Sequence, residues 1–317
     1  MAYGMMGHCG ISFQDSFGCT ETGSMHYIKL ISESITENIP PLIDEGIQGR
    51  FEEGESYEGA HEIAGDIVTN IHPILFGKFL AGWCGQSSAS PVASGCISHN
   101  FIPKTSDFND LAAVPPCTIE LYRDAGSAFM YYDMLIDVLT LEFAHGAFIK
   151  NTVSFIGGKF TKAVKSEPTY LAGSSFTWDT TSVSWGGNGI DEYESMTITF
   201  TNALEAKGTL DGTKWPNRIK RSGYRTITVA GTILFTNQTE VDLFRAQTKQ
   251  RLVVTSKVGS NMIELDIPAV RYDTFPVNIG APGQIAVGFT GSAKYQSTSG
   301  TMFEGTVVNS VENYRGL

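Results

Sequence analysis

Apolar and polar positions along the chain fall into short alternating runs broken by turn residues, with helical spacing in two places. Residues 63–68 read as a strand in which Ile63 and Ile67 share one face, and Gly65 leaves a gap between them where another segment can approach. Pro73 then suits the first position of a helix, with Ile74, Leu75, Lys78, Phe79 and Gly82 following at helical spacing. An echo of both elements returns at residues 224–246. Val229, Gly231 and Ile233 stand where Ile63, Gly65 and Ile67 stood, and each copy reaches a Thr-Asn pair before its helix. In the second helix Thr239 is the expected N-cap and Asp242 the capping-box residue, leading to Val241 and Phe244. A duplicated strand-helix unit is the reading.

Elsewhere strands dominate. Residues 27–35 alternate as a strand that Pro40 and Pro41 end, and residues 131–143 with 148–156 predict a hairpin turning at 144–147. Leu135, Leu139 and Leu141 on one face and Met134, Ile136 and Val138 on the other predict a strand covered on both sides. Residues 196–201 alternate apolar with threonine, as an antiparallel strand with one wet face does. The final third holds strands at 252–255, 262–267, 285–289 and 306–311 between Gly, Pro and Asn turns. The expected class is mainly β, an antiparallel barrel or sandwich with a few short helices.

Three stretches lack periodicity. Residues 1–25, rich in Gly, Ser, Met and Cys, read as an extended arm that orders only against something else. Residues 86–124 and 166–191 read as loop-rich insertions in a domain spanning 26–317. Ahead of both insertions the chain carries a long acidic loop or hairpin at 42–57 with Phe51 and Tyr57 embedded in it. Two readings of it stand: a solvated loop, or a projecting arm whose aromatics anchor on a neighbouring subunit.

Composition narrows the function. The 317 residues are long enough for a core without metal or disulfide, and only 17% are charged. The net charge is −11, and between Glu33 and Asp66 ten acidic residues face one basic, Arg50. Such a surface repels nucleic acid. The basic run Lys214, Arg218, Lys220, Arg221 and Arg225 is weak as a DNA site and is an equally simple counter-charge for the acidic arm of another subunit. Five cysteines without a CxxC pair argue against a disulfide framework. His8, Cys9 and Cys19 match no zinc spacing, so ordinary thiols are expected. No secretory signal is visible at the N-terminus, and the apolar stretch 71–84 is interrupted by His72, Pro73 and Lys78, so it is not read as a membrane span.

The chain carries no GxSxG, HExxH, Walker or dinucleotide motif. His61, His72 and His145 are expected to cap turns or pack, and Glu52 and Glu53 are neighbours on a charged loop without the burial that separates carboxylate pKa values. No enzyme, cofactor or metal is expected.

The order of these elements resembles the major tail tube proteins of long-tailed bacteriophages. The likeness rests on ESITENIP running into an acidic glycine-bearing loop, then GAHEIAGDI with its proline-started helix. Later come the second strand-helix pair, LDIPAVRY at 265–272 and a last strand closing in VVNSVENY at 307–314. The resemblance covers residues 24–314 and leaves 86–124 and 166–191 unmatched. It implies a structural virion protein that forms hexameric rings stacked into a tube, the conduit for the genome, with β-sheet lining a net-negative bore. It also implies partners among tape measure, tail terminator and distal tail proteins, transient passage of DNA, no membrane, and residence in host cytoplasm before assembly in the tail. Ring-to-ring contacts would then fall on Glu45, Arg50, Phe51, Glu52, Glu53, Glu55 and Tyr57 of the loop and on Tyr314 near the end. Two rivals remain open: a carbohydrate-binding or adhesin sandwich using Trp178, Trp185 and Tyr193, and a β-rich glycoside hydrolase using carboxylates of the acidic stretch.

Overall fold

The computed structural model describes residues 3–19, 24–47, 49–92, 95–189, 192–280 and 282–314. Residues 1, 2 and 20–23 of the expected arm, 93 and 94 of the first insertion, 190 and 191 of the second, and the tail 315–317 lie outside the described residues.

The fold is mainly β and antiparallel, sandwich-like without closing into a barrel. The first half begins with β1 (His8–Phe13), β2 (His26–Ile28), β3 (Leu30–Glu33) and β4 (Thr36–Asn38). A small hairpin comes next, β5 (Leu42–Ile43) with β6 (Ser56–Tyr57), and then β7 (Glu62–Asn70) and helix α1 (Phe76–Cys84). After β8 (Ser88–Pro91) and β9 (Ile97–Phe101) come β10 (Cys117–Tyr122), the long β11 (Ala128–Ala144), β12 (Lys150–Gly157) and β13 (Lys159–Ala163).

The second half repeats this plan. It contains β14 (Thr181–Trp185), β15 (Asn188–Gly189), β16 (Tyr193–Thr201) and the hairpin β17 (Leu204–Lys207) with β18 (Arg218–Arg221). Beyond these lie β19 (Thr226–Leu234), helix α2 (Thr239–Arg245), β20 (Gln250–Val258), the long β21 (Asn261–Thr274), β22 (Ala286–Ala293) and β23 (Glu304–Asn309).

Eight pairings of the first half recur in the second. β1 pairs with β2 and β10 as β14 pairs with β15 and β20. β11 pairs with β10, β12 and β13 as β21 pairs with β20, β22 and β23. β7 lies between β3/β4 and β12 as β19 lies between β16 and β22, and β5–β6 matches β17–β18. The duplicated strand-helix unit expected from sequence is thus one part of a larger repeat. β11 and β16 join the two units, so one sheet runs β3/β4, β7, β12, β11, β16, β19, β22, β21.

Two sequence expectations are corrected. Residues 8–13 are not an unordered arm: every side chain of β1 is buried, between β2 and β10. A strand buried throughout shows no alternation, so its sequence carries no period. Residues 117–122, expected in an outlying connection, form β10 with five of its six residues buried. β9 is likewise in the sheet, paired with β23. In the second region Trp185 and Phe176 are buried and β14 pairs with β20.

Helix α1 is wholly buried. The helical register starts a turn later than Pro73: Phe76 N–H donates to the His72 carbonyl at 3.0 Å, and Ile74 N–H to His72 Nδ1 at 3.3 Å, so the proline occupies the capped first turn. Gly85, with φ of 81°, ends it. Trp83 meets Phe200 edge to face at 5.2 Å and Phe303 at 6.0 Å, tying α1 to the second unit. For α2, Gln238 precedes the helix instead of the expected Thr239, whose N–H bonds to Asn237 Oδ1 at 2.8 Å.

Candidate functional site

The acidic stretch folds as a hairpin that stands off the main sheet. Leu42 pairs with Tyr57 and Ile43 with Ser56, and Asp44 N–H donates to the Glu55 carbonyl at 2.9 Å. Beyond that bond the tip is open to solvent. Glu45, Arg50, Phe51, Glu52, Glu53, Glu55 and Tyr57 are all exposed, and Phe51 and Ile47 are as accessible as in an extended peptide. Tyr57 Oη donates to Glu55 Oε2 at 3.0 Å. Among the described residues, Ile47 and Phe51 of the tip bury no surface against the rest of the chain.

Tyr314 does not belong with them. Its ring is 1% exposed, packed against Gly77 of α1, edge to face on His99 at 4.6 Å, with its hydroxyl bonded to Asn309. Burial pushes its phenol well above the ordinary range. The resemblance implied a ring-to-ring contact for Tyr314, and the apolar pocket between α1 and β9 takes up its ring instead.

The base of the hairpin is clamped. His61 Nδ1 lies 2.7 Å from Glu37 Oε1 and its Nε2 2.7 Å from Glu58 Oε1, while the ring packs on Trp215 at 4.2 Å. Lys214 pairs with Glu58, and His61 N–H donates to the Lys214 carbonyl at 2.9 Å. The Glu37 bond, opposed by partial burial and reinforced by Glu58, raises the imidazole pKa. Lys214 and then His61 lower that of Glu58.

Much of the basic run is therefore spent inside the chain. Lys220 and Arg221 meet Asp107 at 3.2 and 3.5 Å. Arg225 donates to Asn202 Oδ1 at 3.0 Å and lies over the Trp83 ring at 5.1 Å, and burial followed by Arg221 lowers it to about 10. Arg218 remains exposed.

The rival sites lose their geometry. Trp185 is buried and stacks on Tyr272 at 4.9 Å, and Tyr193 and Tyr272 share a 3.2 Å hydroxyl contact, so these rings form core and only Trp178 is exposed. Glu52 and Glu53 sit on the open hairpin tip and line none of the cavities at Tyr27 and His72, at His145 and Trp178, and at His8 and Arg123; Glu33, which does line the last, is held by Arg123 Nε at 2.7 Å. Cys9 is buried and free, while His8 Nε2 reaches Glu120 at 3.2 Å. Among the described residues no helix is long and apolar enough to cross a membrane, and no cluster of three or more ligating side chains could hold a metal ion.

The outward face of the long sheet is the part sequence reading caught only at 196–201. Val68, Thr152, Thr140, Thr199, Thr228 and Ser292 lie side by side in register across six strands. One strand over, the Thr274 and Thr290 hydroxyls meet at 2.7 Å. The opposite faces carry Ile67, Val153, Leu139, Ile198 and Val229 into the core. The result is a band of short hydroxyls beside Val68, flanked on the same face by Asp66, Glu142 and Lys150.

One edge of that sheet is blunted. Ile35 N–H donates to Glu33 Oε2 at 3.1 Å, and its carbonyl accepts from Arg123 Nη2 at 2.7 Å, while Arg123 Nε bonds Glu33 Oε1 at 2.7 Å. Beyond this cap, Thr36 and Asn38 are exposed.

No curated protein matches the chain. A family model described as phage tail tube protein matches residues 7–293, which includes strands of both units and the sheet that joins them. With a duplicated antiparallel sandwich, a hydroxyl-lined sheet and a projecting hairpin over that span, the chain belongs to the phage tail tube proteins.

Proposed function

We propose that this protein is the repeating structural subunit of a phage tail: copies join into six-membered rings, the rings stack, and the tube so formed is the conduit through which the genome leaves the virion. The observation that carries the reading is the hairpin at 42–57. It presents Ile47 and Phe51, more exposed than any other described large apolar side chains save Leu210, on a surface without use in an isolated chain. Docked against a neighbouring copy, it buries those side chains and gains order, so growth on an existing assembly is favoured over free polymerisation.

The hydroxyl band suits the bore. DNA adheres to proteins chiefly by releasing counterions when Lys and Arg neutralise phosphates. Threonine and serine have no charge to offer, the exposed Lys150 on that face stands opposite Glu142, and a protein of net charge −11 adds no attraction at longer range. A translocating duplex slides on such a surface. Tape measure, tail terminator and distal tail proteins are the partners this role requires, with tail assembly in the host cytoplasm.

The test is negative-stain microscopy of the purified protein across concentration and salt, beside a variant lacking residues 45–55. The protein forms hollow stacked rings; the deletion leaves a folded particle that does not assemble into tubes. Tubes of normal length from the deletion sink the hairpin's role, and a monomer under every condition sinks the tube.

A further inference from the structure

The two units of the chain share eight strand pairings, yet only the first is completed by contacts from its successor in the chain. Against the C-terminal half of β11 lies β16, from Val138 opposite Thr201 to Ala144 opposite Ser195. Over α1 lie Phe200, Asn202 and Arg225 of the second unit: Asn202 Nδ2 donates to the Trp83 carbonyl at 3.1 Å, and Arg225 covers the Trp83 ring. Together with Phe13 and Ile136 of the first unit and Tyr314 near the chain end, they leave all nine residues of α1 buried.

The corresponding places in the second unit are bare. β21 stops at Thr274, and the residues that continue it, Val277, Asn278 and Ile279, form no strand, with Ile279 84% exposed. Helix α2 has no buried residue, although Val241, Leu243 and Phe244 turn toward the core. A third vacancy lies at the base of the second hairpin. In the first unit Trp215, from the hairpin of the second, packs on His61 just ahead of β7. The equivalent position ahead of β19 borders an open groove of about 530 Å³ lined by Tyr224, Ile227, Lys294, Tyr295 and Met302. Tyr224 is 94% and Tyr295 65% exposed.

The first unit carries the complementary parts, also unused. β4 offers an exposed edge at Thr36 and Asn38, and Ile39, which comes after it as Phe200 and Thr201 end β16, is exposed. The hairpin after it carries Phe51 among Glu45, Glu52, Glu53 and Glu55, an aromatic for the groove and negative charge for Lys294, which lines it.

We infer that the second unit of one copy is completed by the first unit of another, with residues 275–279, α2 and the Tyr224–Tyr295 groove receiving β4, Ile39 and the hairpin of the next chain as β11 and α1 receive the second unit within a chain. The contact is heterologous, so repetition closes a ring when the rotation per chain divides a full turn. Each chain then supplies two successive members of that ring. This counting rests on the ring proposed above: six members need three chains. Docking opens the Arg123 cap on Ile35 or begins beyond it at Thr36, and the cap keeps the free chain from pairing with unrelated strands.

The experiment places p-benzoylphenylalanine at Ile39 or at Phe51 in the full chain, mixes heavy- and light-isotope copies, irradiates across a concentration series and maps crosslinks between copies, with native mass spectrometry and microscopy of the same samples. The expected result is linkage from position 39 to α2 or 275–279, linkage from position 51 to 224–228 or 294–302, and three chains in every six-lobed ring. Rings or tubes whose crosslinks fall elsewhere, or six-lobed rings of six chains, overturn the inference and leave the tube standing. The mapped crosslinks without stacked tubes support the inference and count against the conduit. Absence of any association at all concentrations overturns both.

Discussion

Gly65 and Gly231 occupy the same place in the two units, and each admits a neighbouring backbone that a side chain would exclude. A Cβ at Gly65 would lie 2.4 Å from Ile35 Cα, and one at Gly231 would lie 2.4 Å from the Ser195 carbonyl oxygen. Gly65 also holds a φ of 152°, which L side chains rarely adopt. Gly65→Ala is therefore expected to cost about 3 kcal/mol or more, combining backbone strain with overpacking. Gly231→Ala, with overpacking alone, is expected to cost about 1–3 kcal/mol. Denaturant midpoints of the two variants measure both, and a Gly65→Ala protein as stable as the parent would show that β4 can move aside freely.

Gly77 and Tyr314 test whether the chain end is part of the core. A Cβ at Gly77 would fall 2.1 Å from the Tyr314 ring, and Asn309 Nδ2 bonds both the Pro73 carbonyl at 2.8 Å and the Tyr314 hydroxyl. Tyr314→Ala is expected to lose about 3–5 kcal/mol as a buried aromatic. Tyr314→Phe loses about 1 kcal/mol with the hydrogen bond. Gly77→Ala is destabilising in the parent and close to silent in Tyr314→Ala, because the ring it displaces is gone. The double-mutant cycle reads that coupling directly.

What could be read from the sequence was whatever kept one face wet. Residues 196–201 announced a strand because threonine alternates with Met196, Ile198 and Phe200, and the β11–β12 hairpin announced itself by its turn and its leucines. The two glycine-centred strands were visible as an echo because the close approach demands the same residue twice. β1 and β10 were not legible: HCGISF and most of CTIELY are buried on both faces, and their pairing joins segments more than a hundred residues apart. At the candidate site the exposed hairpin was legible from charge and glycine, whereas Tyr314 and the basic run were misplaced because a sequence does not say which charges find partners within the chain. Lys214 found Glu58, and Lys220 and Arg221 found Asp107.

Lys78 carries a cost that pH can reveal. Its ammonium is buried in α1, 2.6 Å from His26 Nδ1, and burial lowers its pKa to about 8. Burial and then Lys78 lower His26 to about 4, so the imidazole is neutral and accepts the hydrogen bond. A lysine whose folded pKa lies below its unfolded value disfavours the fold wherever it is charged. The deficit is complete below about 8 and disappears as pH rises to the unfolded value near 10.5. Lys78→Met is accordingly expected to stabilise at pH 7 by up to about 3 kcal/mol and to give no gain near pH 10.5. Thermal midpoints at the two pH values check it, and a gain that does not change with pH would place the benefit in packing.

His61 has the opposite sign. Its pKa is raised, first by Glu37, with Glu58 adding to the effect against partial burial. A histidine whose folded pKa exceeds its unfolded value gives stability that is fully present below about 6.5 and is lost as pH rises through the folded pKa. The imidazolium is what holds two carboxylates and the Lys214 loop at the hairpin base, while the Trp215 contact persists in either protonation state. Comparing the protein with His61→Asn by hydrogen exchange at residues 42–57, the hairpin is expected to be better protected in the parent at pH 6, with the difference narrowing above neutrality. In tube-forming conditions the same loss of a fixed hairpin base is expected to raise the protein concentration needed for stacking at pH 8.5 relative to pH 6. A critical concentration that is equal at the two pH values would mean that docking, and not the His61 clamp, sets the hairpin's orientation.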